Sequence, residues 1–420
     1  MFFSFWPHKE EFSRTPPDIT SDFFAGLTVA IVALPLAIGF GITSGLSAAS
    51  GLTTAIIAGL LAALFGGSKY QVSGPTGAMT VILIPVVNKY GASAIPALGL
   101  MAGMIVILMA VFKLGGFINR VPWTVVEGFT VGIAVIISLQ QIPLALGIAK
   151  GKGEKSFNVA WNTIKDAINL GVNSKSLLLV AITILIKFSW PLIGRRFKFK
   201  HHIPASFMAL LLVTLIVKIF SIEVITIGNI PRSVGIYQRP IFENITSLLV
   251  PALWIALLAA VESLLSARVA DGMAHEKKHF EPNRELFGQG LATIGASIFG
   301  GMPATGAIAR SSVNVRSRAK SRLASIFHSL ILLGIALIAA PLVSQIPTAV
   351  IAGLLLGTSY RILNPASIVE SLRTTKSEAI TMVVTAFSTV AIDLIWGLVI
   401  GITLHLVLGQ VFKNKLWKCS

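Results

Sequence analysis

Cysteine is all but missing: the sequence has one, Cys419, next to its end. A single thiol forms no internal disulfide and makes no metal site. Charge is scarce too, at 12% of 420 residues, where a soluble domain carries about 25%. Acidic residues are the scarcer sign, with 17 Asp and Glu against 34 Lys and Arg, a net charge of +17. The first residues do not read as a secretory signal. In "MFFSFWPHKEEFSRTPPDITSDF" the charges follow the apolar residues, and no short apolar core with a cleavage site appears. The basic excess does not form the soluble, aromatic-lined face of a nucleic-acid binder, because it sits in short loops between apolar runs. No nucleophile–base pair or metal-ligand cluster stands out, which argues against an enzyme and against any cofactor beyond a coupling ion. What is abundant is apolar: 54% hydrophobic residues and a mean hydropathy of +0.82. This is the composition of a polytopic, all-α membrane protein built as one integral domain, with the lipid bilayer as a partner.

A full span needs about 20 apolar residues. Long candidates fall at roughly 23–45, 46–66, 94–114, 121–148, 176–194, 203–221, 247–270, 284–300, 321–343, 347–363, 376–392 and 394–412. Two further segments, 78–88 and 306–315, are too short to cross. The expected total is fourteen membrane segments, two of them half-length. Residues 1–20 read as an interfacial segment with Phe2, Phe3, Phe5 and Trp6 at the headgroups, and 413–420 as a short cytoplasmic tail. An amphipathic piece near 156–170, "FNVAWNTIKDAINL", is expected along the membrane surface.

Lys and Arg concentrate in "GGSKY", "FKLGGFINR", "GRRFKFKHH", "ARVADGMAHEKKHFEPNR", "VRSRAKSR", "YRILNPASIVESLRTTKSE" and "FKNKLWK". With both termini cytoplasmic in the inner (plasma) membrane, all of these lie inside. "TSGLSAAS", "NKYGAS" and "SQIPT" lie outside, nearly uncharged. Residues 149–175, with Lys150, Lys152, Lys155, Lys165 and Lys175, are the exception.

The two short segments each follow a run of small and turn-forming residues. "FGGSKYQVSGPTGAM" covers 65–79 and "FGGMPATGAI" covers 299–308. "FGG" and "TGA" recur at matching places in the two halves. Seven segments per half is an odd number, so the second half enters from the opposite side. That is an inverted repeat, about 21–222 and 245–412 within a transport domain at 21–412, and paired interrupted segments point to a binding site. A half-helix starting inside the bilayer presents free N–H groups and the positive end of its dipole. Two such ends face to face make an anion site without a side-chain charge. Thr76 and Thr305 add hydroxyls, and Pro75 and Pro303 stop preceding helix. The bland alternative is a packing kink filled by neighbouring side chains.

Few charges fall inside spans. Glu262, in "LWIALLAAVESLLSARVADG", is costly there and reads as functional, with Ser266 one turn on along the same face. It suits proton coupling, or Na⁺ if ionised. The alternative is that it pairs with Arg268 or Arg310 and locks two helices. Arg310, one turn into the second half-helix, either adds fixed positive charge beside the anion or extends to the cytoplasmic side with Arg316 and Arg318. Asp271 and Gln289 read as interface polar groups near span ends, and Glu127 and Asp393 as structural. Pro35, mid-membrane in "ALPLAIGFGITSG", is expected to unwind the first span locally, with Leu36 and Phe40 toward the cavity.

Five stretches run in the order of one family: "AGLTVAIVALPLAIGFGITSGLSAASGL", "FGGSKYQVSGPTGAMT", "ESLLSARVADG", "GQGLATIGASIFGGMPATGAIARSSVNVRS" and "IPTAVIAGLLL". The sequence resembles the sulfate permease (SulP) family, also called solute carrier family 26. The resemblance implies a UraA-like fold of seven plus seven segments with core and gate domains, homodimers, and a small inorganic or carboxylate anion between the third and tenth segments. It places the anion at Thr76, Gly77 and Ala78, at Thr305, Gly306, Ala307 and Ile308, with Phe40 lining it and Arg310 beside it. It makes Glu262 the coupling residue. Sodium-coupled bicarbonate relatives tend to carry Asp at that place and a hydroxyl near the place of Ile308, so Glu262 and Ile308 tilt toward protons. Arg310 matches many members but few bicarbonate carriers, whereas "ALPLA" leans toward the bicarbonate and prokaryotic branch. Most members continue into a cytoplasmic STAS domain, whereas this sequence ends at Ser420, a few residues after the last expected span.

The expected function is secondary transport of bicarbonate, sulfate or a dicarboxylate by an elevator or rocking motion. A Na⁺-coupled bicarbonate symporter, a passive anion channel or exchanger, and a nucleobase carrier on the same fold are the alternatives. The last favours acidic groups in both binding helices, which "PATGA" and Arg310 do not supply.

Overall fold

The computed structural model describes residues 8–12, 15–118, 121–153, 155–196, 204–228, 230, 232–243, 245–276, 279–363, 365–392 and 394–416. In chain order the helices are α1 (Pro16–Thr43), α2 (Ala48–Phe65), α3 (Gly77–Tyr90), α4 (Ile95–Val111), α5 (Gly115–Ile118) and α6 (Trp123–Gln140). Next come α7 (Ile142–Leu146), α8 (Ser156–Leu170), α9 (Ser174–Arg196), α10 (Ala205–Ile219), α11 (Ile245–Ala274) and α12 (Pro282–Ile298). The chain closes with α13 (Ile308–Arg316), α14 (Leu323–Ile338), α15 (Ala340–Val343), α16 (Thr348–Leu363), α17 (Pro365–Arg373), α18 (Lys376–Ala391) and α19 (Leu394–Leu416). Every apolar run singled out above is helical, with ends displaced by a few residues. The run at 121–148 divides into α6 and α7, and that at 321–343 into α14 and α15. Among the described residues, six stretches are long and apolar enough to cross a membrane: α1, α2, α4 with the turn before it, α6 with α7, α9 and α11.

The chain forms two units, each drawn from both halves of the sequence. One contains residues 1–119 and 175–354, the other 120–174 and 355–420. In the first, small residues let helices approach closely, as they do where lipid supplies no hydrophobic drive between helices. α12 packs on α4 and α2, and α1 on α2 and α14. Gly103 and Gly290 face each other so closely that a Cβ on either would lie 2.7 Å from the other's carbonyl oxygen. A Cβ on Gly51 would lie 1.9 Å from Ala37 O, which seals the crossing of α1 and α2. Ala58, Ala62, Ala292, Ala296 and Ala304 pack as one cluster beside the second break. Helix α1 runs unbroken through Pro35, contrary to the expected unwinding. Only the hydrogen bond to the carbonyl of Ile31 is forgone there, and the packed neighbours hold the remaining turns.

The N-terminal segment ends in a short turn, Lys9–Glu11, that docks by charge. Glu11 accepts two hydrogen bonds from Arg284, at 2.7 and 2.9 Å, and one from Arg322 Nε at 2.8 Å. Arg322 also donates to Ala63 O at 3.1 Å. One carboxylate therefore ties the starts of α12 and α14 together and, through Arg322, the end of α2. Phe2, Phe3, Phe5 and Trp6 lie outside the described residues.

In the second unit α6 packs on α18 and α19, and α8 on α6 and α7. Helix α8 is two-sided, as its sequence indicates. Val159, Ala160, Thr163 and Ala167 are buried, while Phe157, Trp161, Ile164 and Ile168 face out. Glu127 is buried and accepts a hydrogen bond from Ser371 Oγ, the structural role expected of it. Asp393 lies outside the described residues.

Candidate functional site

The two small-residue breaks meet. Ser73–Gly74 and Thr305–Gly306 form a two-stranded antiparallel sheet, with Ser73 opposite Gly306 and Gly74 opposite Thr305. Ala307 N extends the pairing by donating to Val72 O at 3.0 Å. Gly300 takes a left-handed backbone, φ 81°, that lets α12 end and the chain turn into the second strand. Each strand leads straight into a helix: α3 starts after Thr76 and α13 after Ala307. Neither start has a side chain capping its first N–H groups. The positive ends of two helix dipoles are thus held in one place by backbone pairing.

At the join stands Glu262 of α11. Its Oε2 accepts from Thr305 Oγ1 at 2.7 Å and from Thr76 Oγ1 at 3.1 Å, and the two hydroxyl oxygens lie 3.2 Å apart. One carboxylate oxygen and one hydroxyl from each break form a triangle. The neighbour, Ser263, accepts from Gly306 N at 3.0 Å, so α11 grips the second strand with consecutive residues. Thr76 and Thr305 are buried, whereas Glu262, Ala307 and Ile308 are only partly covered. Gly77 and Ala78 are buried in the first turn of α3.

Arg310 is 2% exposed and does not extend to the surface, unlike Arg316 and Arg318, which are exposed. Its Nη2 donates to Pro75 O at 2.6 Å, so a side chain of the second half caps the backbone of the first break. Its Nη1 is buried without a hydrogen-bond partner and lies where a Cβ on Gly74 would be, 2.4 Å away. Glu262 is therefore engaged by threonine hydroxyls and Arg310 by a carbonyl. Arg268 is exposed, six residues further along α11.

Ser266 stands apart from the triangle. Its hydroxyl lies 3.0 Å from Ser311 Oγ, which in turn accepts from Val72 N at 3.0 Å, so it braces α11 against α13. Phe40 is buried near the end of α1, a helix that packs on both α3 and α13. Asp271 accepts from Phe280 N at 2.6 Å, beyond the end of α11, as an interface polar group does. Gln289 does not fit that reading. It is fully buried in mid-α12, where it accepts from Ser73 Oγ at 2.8 Å and donates to Ala304 O at 2.7 Å. Four-residue spacing was the available signal: Glu285, Gln289 and Thr293 interrupt a helix otherwise rich in small and apolar residues.

The sequence profile of the sulfate permease family matches residues 19–385. YvdB of Bacillus subtilis, provisionally named a sulfate transporter, is 36% identical over 393 residues, which are 92% of this chain and 72% of YvdB. The bicarbonate transporter BicA of Picosynechococcus sp. is 33% identical over 401 residues, 92% of this chain and 69% of BicA. Among solved structures, the transmembrane domain of a cyanobacterial bicarbonate transporter BicA has a TM-score of 0.81 at 31% identity, covering 91% of this chain and 98% of that one. The murine solute carrier 26 family member A9 anion transporter, in its inward-facing state, has a TM-score of 0.83 at 17% identity, covering 96% and 70%. The second likeness is one of fold alone. This chain has the fold of those membrane transporters.

Proposed function

This chain belongs to the sulfate permease family of membrane anion transporters, and we propose that it carries a small anion bound at the N termini of α3 and α13, coupled to protons through Glu262. The observation that carries this reading is the triangle of Glu262, Thr76 and Thr305. An ionised carboxylate can only accept, so it claims the hydroxyl protons of both threonines. Protonation at Oε2 turns that oxygen into a donor to one threonine and releases at least one of the hydroxyl protons. The freed hydroxyl turns to donate to an anion that the two uncapped helix starts already attract. Proton binding at Glu262 and anion binding at the breaks are then linked reciprocally, each raising the affinity of the other. Arg310 supplies fixed positive charge behind the first break.

The names of the relatives support sulfate or bicarbonate as cargo, and dicarboxylates share the same chemistry of oxyanion and backbone N–H. Alternating access by an elevator motion, a homodimer, fourteen membrane segments as a seven-plus-seven inverted repeat over 21–222 and 245–412, half-helices at α3 and α13, and cytoplasmic termini in the inner membrane belong to the same proposal. The recurrence of "FGG" and "TGA" and the antiparallel pairing of the two breaks support the repeat.

The test is uptake of labelled bicarbonate, sulfate, succinate and fumarate into proteoliposomes under imposed pH and Na⁺ gradients, with wild type and Glu262→Gln. Wild type is expected to accumulate one or more of these anions with an inward proton gradient, and Glu262→Gln to lose the response to that gradient. Accumulation that follows the Na⁺ gradient would favour the sodium-coupled reading. Gradient-independent flux that is the same in both proteins would leave a passive channel.

A further inference from the structure

Two strands of two residues each are too short to hold themselves together, and sheets this small depend on what packs against them. Besides the grips of Ser263, Ser311 and Arg310 described above, a row of side chains on α12, at four-residue spacing, supports them. Glu285, buried, accepts from Gly67 N at 2.7 Å, from Ser68 N at 2.8 Å and from the Gln71 amide, all in the approach to the first break. Thr293, buried, donates to Ala304 O at 3.2 Å in the approach to the second. Gln289, between them, takes hold of both. Its oxygen accepts from Ser73 Oγ of the first strand and its nitrogen donates to Ala304 O, the residue before the second. Thr76 lies three residues beyond one grip and Thr305 one residue beyond the other.

We infer that Gln289 is a specificity-determining positioning residue: its one amide, acting with the backbone pairing, sets how the two breaks are spaced, and so the helix starts that meet the anion. The inference rests on the anion site proposed above. A planar amide is well suited to the task, because its donor and acceptor are held at a fixed distance and cannot slide independently. Both its ends are engaged in a site without exposure, so the hydrogen bonds face no competition from water. Bicarbonate, sulfate and a dicarboxylate differ chiefly in size and in oxygen geometry. A pair of helix starts discriminates among them only if their spacing is held.

The experiment compares wild type with Gln289→Met, Gln289→Glu, Ser73→Ala and Thr293→Val in proteoliposomes. KM and turnover are measured for bicarbonate, sulfate and succinate, and melting in detergent is followed separately. Gln289→Met keeps the volume and removes both grips. It is expected to change the ratio of KM values between the smallest and largest transported anions by about tenfold, as loss of two buried hydrogen bonds allows. Ser73→Ala and Gln289→Glu each remove one grip and are expected to change it by about threefold. Thr293→Val removes the longer bond to the same Ala304 O while Gln289 still spans both breaks, and is expected to change the ratio less than Ser73→Ala does. If wild type takes one anion only, the expected readout for Gln289→Met is a raised KM for it or uptake of a second.

A uniform fall in turnover for every anion, with KM ratios unchanged, would mean that Gln289 merely supports the fold and would overturn the inference. Should Gln289→Met fail to assemble, an unchanged ratio in Ser73→Ala overturns it equally. Wild-type protein that moves none of these anions would overturn the anion site itself, a result distinct from unchanged ratios in an active transporter.

Discussion

Gly74→Ala probes how the second half of the chain braces the first. The added methyl would sit 2.4 Å from Arg310 Nη1 and 3.3 Å from Ala55 Cα. Carbon and nitrogen at ordinary contact stand about 3.5 Å apart, so the guanidinium must retreat by about 1 Å. Its 2.6 Å hydrogen bond to Pro75 O does not survive that retreat. A hydrogen bond from a charged donor contributes about 1.5–3 kcal/mol. A second cost comes from the backbone: φ at Gly74 is 157°, a conformation that side chains pay about 1–3 kcal/mol to adopt. A thermodynamic cycle separates the two. Gly74→Ala, Arg310→Met and the double variant are compared by melting in detergent and by apparent affinity for the transported anion. The backbone share persists in both backgrounds, and the guanidinium share vanishes with the arginine. The expected coupling is about 1.5–3 kcal/mol, which is about tenfold to 150-fold if it falls on affinity alone. Strict additivity, within about 0.5 kcal/mol, would refute the contact between Gly74 and Arg310 as the reason for glycine here.

Glu11→Gln tests the N-terminal strap. Burial alone would raise the Glu11 carboxyl, but the hydrogen bonds from Arg284 and the charge of Arg322 outweigh it and hold the group below its ordinary value of 4.5. A depressed carboxyl stabilises the fold fully above the unfolded value and loses that contribution as pH falls through the lower, folded one. The variant should melt earlier than wild type at neutral pH, by the equivalent of about 3 kcal/mol, with the difference closing in strong acid. Equal melting of the two at neutral pH counts against the strap. Gly51→Ala would press a methyl to 1.9 Å from Ala37 O and is expected to cost about 1–3 kcal/mol by forcing α1 and α2 apart. Melting unchanged from wild type would show that this crossing has slack.

The helices were legible because long apolar runs carry their own boundaries, and the breaks because Gly, Pro and Thr stand out against such runs. Glu262 was legible as an expensive charge in an apolar span, and Thr76 and Thr305 as polar residues at repeated places. Their mutual contact could be inferred from the repeat, but the strand pairing could not, because two residues make no periodic pattern. Gln289 was misread because a polar residue on an apolar helix looks alike whether it faces an interface or a buried backbone. The partner of Arg310 was also out of reach, since Pro75 O is a backbone atom and leaves no mark on composition. Glu11 was hidden differently: it lies in a charged stretch where a half-buried, doubly paired carboxylate resembles an exposed one. Pro35 was expected to unwind its helix, yet close packing around α1 keeps the remaining hydrogen bonds in place.

The pairing of the two breaks also constrains how the protein is made. Thr76 and Thr305 touch, yet 229 residues separate them. At about 5–20 residues per second, the first break leaves the ribosome about 10–45 s before its partner exists. Throughout that interval its strand has no mate and Pro75 O has no guanidinium. The first half must therefore enter the bilayer carrying an open polar edge, which a translocase, water or another chain has to satisfy until α13 arrives. Substitutions at the breaks should then reduce the yield of inserted protein during synthesis, apart from any effect on the finished molecule.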